Sequence, residues 1–196
     1  MNSINHNQAA QLIANVGTKV TFLLRGQPGV GKTAVLGTQR HMLPEYHIAY
    51  IDVANLDLGD IGMPVVDRDK MVTHYAPNAR FGVFPGQTRP VLLCLDELTK
   101  ASKSVMNMLL PSIRERRIGD VQMPEGSIVF ATGNLDTDGV GDTMPAHACN
   151  SVTTLDYGNS TPEEGVKWAA PNGVVPEVMA FAMQYPAIFD RYDHLD

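Results

Sequence analysis

Apolar positions along this chain fall into short segments that switch between helical and strand spacing. From Ile4 to Val16, the residues Ile4, Ala9, Leu12, Ile13 and Val16 recur near helical spacing and stop at Gly17, which predicts a short amphipathic helix. Val20 to Leu24 is an apolar, β-rich run that ends at a glycine loop. Lys32 to Met42 reads as a second helix, ended by Pro44. His47 to Val53 reads as a strand, and a long connection follows from Ala54 to Pro90. Within it Val65, Val66, Met71 and Val72 flank Asp67-Arg68-Asp69-Lys70, the pattern of an inserted β-hairpin.

Val91 to Leu95 is almost purely apolar, as expected of a strand covered by helices on both faces. Ser102 to Ile118 predicts a helix that Pro111 should kink or divide. Ser127 to Ala131 and Val152 to Leu155 are the last strands. The tail from Thr161 reads as helical in pieces, with Thr161 as N-cap ahead of Pro162 and Glu163, and a second piece from Val175 to Met183. There Val178, Phe181, Ala182 and Tyr185 form a stripe expected to pack on the core, and Trp168 is expected to anchor tail to sheet. Strands alternating with helices give an α/β fold with a mostly parallel sheet.

Composition narrows the function classes. At 44% hydrophobic and 18% charged residues the chain is globular, and 17 Gly with 13 Pro imply many turns. The formal net charge of −6 argues against nucleic acid as a partner, because phosphate backbones are bound mainly by Lys and Arg. No apolar stretch is long enough to cross a membrane, so no membrane partner is expected. The N-terminal residues lack a signal-peptide layout. Cys94 and Cys149 read as free thiols in a reducing compartment, so a cytoplasmic location is expected. His41, His47, His74, His147 and His194 are scattered without metal-ligand spacing, and the ten methionines read as core filler.

Three motifs carry chemistry. Gly26-Gln27-Pro28-Gly29-Val30-Gly31-Lys32-Thr33 matches G-x-x-x-x-G-K-[ST] after a strand and ahead of a helix. Its glycines let backbone N–H groups curl around phosphate, the helix dipole adds attraction, and Lys32 reaches the β- and γ-phosphates. Thr33 would offer its hydroxyl to Mg²⁺. In the second motif, an apolar strand delivers Asp96, placed to hold Mg²⁺, and Glu97, placed to polarise an attacking water. The third is a strand that ends at Thr132-Gly133-Asn134, where a polar tip can meet the γ-phosphate or the water. The loop from Gly139 to Pro145 carries no assigned chemistry.

In this order GQPGVGKT, LLCLDELTKAS and ATGN resemble the AAA+ ATPases, and most closely their MoxR-like and dynein-related group, over Phe22 to Asp156. The resemblance implies a P-loop NTPase three-layer sandwich whose five-stranded sheet has order 5-1-4-3-2, with the hairpin inserted between strands 2 and 3. It implies ATP and Mg²⁺ as cofactors, the sensor-1 role for Asn134, and a homo-oligomeric ring such as a hexamer. It further implies ATP-driven remodelling of a protein client, commonly with a von Willebrand A-type partner. Residues 1–158 would form the nucleotide-binding domain, with the insert at about 54–90, and 159–196 a short helical tail or truncated lid.

The sequence departs from that family where an arginine finger is due, because Ser151 falls at the arginine's place in Ala148-Cys149-Asn150-Ser151-Val152. No Lys or Arg occurs between Arg117 and Lys167, and the stretch after Asp156 holds only Lys167 and Arg191 for a sensor-2 role. A catalytic arginine is worth on the order of 10³–10⁵ in rate, so slow hydrolysis is expected unless another arginine serves. Arg114, Arg116 and Arg117 are the nearest candidates to act in trans on a neighbour's nucleotide; a charged, solvated helix end is the other reading of them. The leading function is therefore a Mg²⁺-dependent ATPase. The alternatives are a nucleotide-gated binding or assembly module with negligible turnover, and a P-loop kinase that uses the three arginines as a phosphoryl clamp.

Overall fold

The computed structural model describes residues 3–134, 144–159 and 161–189. Helix α1 (His6–Val16) starts at a capping box in which Asn5 and Gln8 exchange side-chain and backbone hydrogen bonds. Strand β1 (Phe22–Gly26) leads through the glycine loop into α2 (Ala34–Met42), and β2 (His47–Asp52) follows. A one-turn α3 (Leu58–Ile61) precedes the hairpin β3 (Gly62–Asp67) and β4 (Val72–Pro77). Next come β5 (Val91–Asp96), α4 (Lys103–Glu115), a two-residue pair β6 (Arg117–Ile118) and β7 (Val121–Gln122), and β8 (Ile128–Asn134). The chain continues through α5 (Ala146–Cys149), β9 (Thr153–Asp156), α6 (Pro162–Ala169) and α7 (Pro176–Gln184).

The main sheet has the order β2-β5-β8-β1-β9, and every pairing in it is parallel. Counted along the chain these are strands 2-3-4-1-5, the expected order read from the opposite edge. Alternate side chains sort the core into two layers. Leu93 and Leu95 of β5, with Val129 and Ala131 of β8, face Val105, Met106, Leu109 and Ile113 of α4. Leu92, Cys94, Ile128 and Phe130 face Ala9, Ala10 and Ile13 of α1 and Val35 and Leu36 of α2. All six residues of β5 are buried, which explains its unbroken apolar pattern. Gln39 of α2, fully buried, donates from Nε2 to the Ala10 carbonyl at 2.7 Å and links the two helices of one layer.

The hairpin forms where expected, with Val65 opposite His74 and Val66 opposite Thr73. It leans on the β6–β7 turn, which sequence periodicity did not foresee: Tyr75 N–H donates to Asp120 Oδ2 at 2.7 Å and Asp120 N–H to the Tyr75 carbonyl at 2.9 Å.

Four expectations need correction. Pro111 does not divide α4, because buried Met106, Leu109, Leu110 and Ile113 hold the helix on both sides of it and offset the roughly 3 kcal/mol an interior proline costs. The α7 stripe does not pack on the core. Val178, Phe181 and Tyr185 are about half exposed and only Ala182 is buried; Phe181 and Tyr185 instead pair with each other, ring centroids 4.7 Å apart. Trp168, 42% exposed, is no anchor to the sheet; the tail is tied down by Asn5 Nδ2 donating to Glu164 Oε1 at 2.8 Å. Methionine is only partly core filler, since Met106 and Met123 are buried while Met42, Met63, Met71 and Met183 are exposed.

Beyond the end of α4, Arg116 adopts left-handed backbone (φ 55°) and turns its guanidinium inward. It donates to Thr21 Oγ1 at 2.7 Å, to the Gly17 carbonyl at 3.1 Å and to the Ile113 carbonyl. It thus clamps the exit of α4 to the start of β1. Arg116→Ala should lower the unfolding free energy by about 2 kcal/mol, and Arg116→Lys should recover little, because one ammonium cannot span these acceptors. Chemical denaturation checks this, and an unchanged midpoint in the alanine variant would contradict it.

Candidate nucleotide site

Parallel strands bring their C-terminal tips to one edge of the sheet, and register decides which residues meet there. Gly26 pairs with Asn134 across β1 and β8, Asp52 with Asp96 across β2 and β5, and Leu95 with Ala131 across β5 and β8. The glycine loop, Asp96-Glu97 and Thr132-Gly133-Asn134 therefore share one rim. In the loop, Gly29 (φ 80°) and Gly31 (φ 87°) take backbone that residues with a Cβ rarely adopt, and this curls Gly26 to Thr33, through Gln27, Pro28 and Val30, ahead of α2.

Lys32 is almost buried, at 8% exposure. Its Nζ donates to the Gly26 carbonyl at 2.8 Å, the Gln27 carbonyl at 2.7 Å and Asn134 Oδ1 at 3.0 Å. The lysine and the polar tip of β8, 102 residues apart in sequence, are thus in direct contact.

Asp96 is equally buried and accepts three hydroxyls. Thr33 Oγ1 lies 3.1 Å from Oδ1 and 3.2 Å from Oδ2, Tyr50 Oη donates to Oδ2 at 2.8 Å, and Thr132 Oγ1 donates to Oδ1. Burial, then the hydrogen bond and charge of Asp96, push the Tyr50 phenol far up, so it remains a donor. Glu97 leaves the strand in left-handed backbone (φ 54°), a conformation that costs a non-glycine residue about 1 kcal/mol or more. Its N–H donates to Thr132 Oγ1 at 3.1 Å and its carboxylate pairs with Lys100 Nζ at 2.7 Å. Thr132 therefore bridges the two acidic residues, accepting from one and donating to the other.

Hard oxygen donors fit Mg²⁺, which takes one or two protein ligands and completes its shell with water and phosphate. The Thr33 hydroxyl beside the Asp96 carboxylate is such a pair. Among the described residues no three His, Cys, Asp or Glu side chains cluster as an all-protein metal site.

The three arginines do not converge. Arg116 is committed to the clamp above, which removes it from the candidates for acting in trans. Arg117 donates to Glu115 Oε2 at 2.9 Å and to the Gly119 carbonyl at 2.6 Å. Exposed Arg114 donates from Nε to Ser151 Oγ at 2.6 Å, so it occupies the neighbourhood in which the finger was sought. Most of the loop from Gly139 to Pro145, together with Arg191 and His194, lies outside the described residues.

Sequence reasoning missed Tyr50, Thr132 and Lys100 as neighbours of the acidic pair. Thr132 was within reach of it, since one register step past Ala131 places it beside Asp96. It also missed His6, whose Nδ1 lies 2.9 Å from Tyr157 Oη and whose Nε2 lies 2.7 Å from Thr38 Oγ1. Tyr157 Oη in turn lies 3.5 Å from the Gly31 carbonyl, so α1 buttresses the loop. Burial pushes the Tyr157 phenol up to about 12, with Glu164 adding to the shift.

These features define a P-loop nucleotide-binding fold with its polar residues gathered at the strand tips. The profile of the AAA domain, dynein-related subfamily, matches residues 21–132, more than half of the chain, and the chain belongs to this family. Similar solved structures include a candidate ATPase from Cytophaga hutchinsonii, 18% identical with a TM-score of 0.60 over 87% of this chain and 51% of that one. Another is NtrX from Brucella abortus in complex with ADP, 15% identical with a TM-score of 0.53 over 89% of this chain and 43% of that one. At these identities the likeness concerns the fold. The chain spans about half the length of those structures. No curated protein matches it by sequence.

Burial lowers the pKa of His6 and the Glu164 charge opposes this more weakly, so His6 is neutral in the folded chain at pH 7. The unfolded chain binds a proton on this residue at higher pH than the folded one, so stability falls as pH drops below about 6.5. Denaturation between pH 7.5 and 5.5 should show that slope, and His6→Asn should flatten it; an identical slope in the variant would contradict the assignment.

Proposed function

We propose that this chain binds Mg²⁺-ATP and hydrolyses it to ADP and phosphate, as an AAA+ ATPase of MoxR-like type. The observation that carries this reading is the contact of Lys32 with Asn134 beside the Thr33–Asp96 pair, at the rim where the glycine loop opens. Backbone amides of Gly26 to Thr33 receive phosphate oxygens, and Lys32 exchanges its carbonyl partners for the β- and γ-phosphates. Thr33 and Asp96 would hold Mg²⁺. Bound there, the cation would neutralise charge on the phosphate oxygens. Glu97, once it parts from Lys100, accepts the proton of the attacking water, and Asn134 orients that water. The ADP bound by NtrX is consistent with nucleotide as the ligand of such a fold.

Arg114 is the residue we assign to act in trans on a neighbouring copy, which calls for a homo-oligomeric ring. Its hydrogen bond to Ser151, the position at which the arginine was expected, supports this reading. Exposed Met63, Val65, Val66 and Met71 on the hairpin support contact with a protein client or a von Willebrand A-type partner. Residues 1–158 act as the nucleotide domain, and helices α6 and α7 follow it. Ser151 also favours a second reading, a nucleotide-gated module with negligible turnover. The scatter of Arg114, Arg116 and Arg117 speaks against a kinase clamp.

Steady-state hydrolysis separates the readings. Glu97→Gln should lose on the order of a hundredfold in turnover with nucleotide binding retained, and Arg114→Ala should lose at least about tenfold at protein concentrations where the wild type assembles. Wild-type rates in Glu97→Gln would contradict hydrolysis at this site, and tight binding with no turnover in any chain would establish the gated module.

A further inference from the structure

We propose that Tyr50 is a positioning residue that weakens divalent-cation binding at Asp96, by holding a carboxylate oxygen that the water shell of Mg²⁺ also needs. This rests on the reading of Asp96 as the cation-holding acid.

An ionised carboxylate offers about four acceptor positions. Thr132 takes one on Oδ1, Tyr50 takes one on Oδ2, and Thr33 lies within reach of both oxygens. The three donors differ in what a hydrated cation asks of them. Thr33 is compatible with it, since a hydroxyl can ligate through a lone pair while its hydrogen still points at Asp96. Thr132 is 1% exposed and is held on its other side by the Glu97 N–H, so it cannot withdraw. Tyr50 is different. It reaches across from β2, the edge strand of the sheet, and its residue is 46% exposed. A phenol with a path to solvent on a sheet edge is the donor that can leave.

Tyr50 therefore stands in direct competition with cation-bound water for Oδ2. Removing the hydroxyl while keeping the ring opens that acceptor position and leaves the glycine loop and Lys32 untouched. The effect falls on cation affinity, because the Tyr50 hydroxyl donates to Asp96 and the Lys32 ammonium is held by Gly26, Gln27 and Asn134.

The test is a Mg²⁺ titration of the full chain with N-methylanthraniloyl-ADP, read by fluorescence as binding. Tyr50→Phe should lower the half-saturating Mg²⁺ concentration by about three- to tenfold, the range one net hydrogen bond spans, with binding in EDTA equal to the wild type. Tyr50→Leu should shift it in the same direction, so the result does not hang on one substitution. An unchanged or raised half-saturation in both variants, with normal Mg²⁺-dependent binding by the wild type, overturns the role of Tyr50. A wild-type chain whose nucleotide binding ignores Mg²⁺ overturns the reading of Asp96 beneath it.

Discussion

A carboxylate buried at the tip of a fully buried strand must be given hydrogen-bond donors, and the site is organised around that requirement. An unpaired charge in this position would cost several kcal/mol or more. Asp96 is served from three directions: by Thr33 from the glycine loop, Tyr50 from β2 and Thr132 from β8. One pair of oxygen atoms thus links strands on both sides of β5 to the loop that precedes α2. Because these donors come from different elements, the geometry depends on sheet register. A one-residue slip of β8 would reverse which face Thr132 presents and would move Asn134 away from Lys32.

The same rim holds opposite charges in different states of restraint. Lys32 is sunk among oxygens of the loop and of Asn134, whereas Glu97 sits on strained backbone and is paired with Lys100 at partly exposed positions. An exposed pair of this kind contributes at most about 1 kcal/mol and is readily exchanged. The buried lysine is therefore surrounded by oxygens until phosphate replaces them, whereas the acid proposed to activate water is held only by a partly exposed ion pair. His6 and Tyr157 brace the glycine loop from α1 and the end of β9. The N-terminal helix, which carries no motif, is thereby part of the support of the site.

Where one physical signal dominated, the sequence was legible. The glycine loop has a required pattern, Val91 to Leu95 had to be covered on both faces, and the alternation of strands and helices led to the parallel sheet. Legibility failed where the outcome depends on what lies opposite. The helical spacing of Val178, Phe181 and Tyr185 is real, yet no core faces them, and the same holds for Trp168. Pro111 is tolerated because packing on both sides outweighs a local penalty that sequence alone cannot offset. Tyr50 lies in a run that reads only as a strand, and the pairing of β2 with β5 is what brings its hydroxyl to Asp96. Arg114, Arg116 and Arg117 are neighbours in sequence but point to three different places, because the chain reverses at Arg116.

The central claim is that the rim formed by the glycine loop, Asp96 and Asn134 is a nucleotide site. Calorimetric titration of Mg²⁺-ADP into the wild-type chain and into Lys32→Ala tests it most directly. The account predicts one saturable site per chain in the wild type and its loss in the variant, with the variant's thermal unfolding still cooperative. Equal binding by both chains, or none by the folded wild type, would contradict it.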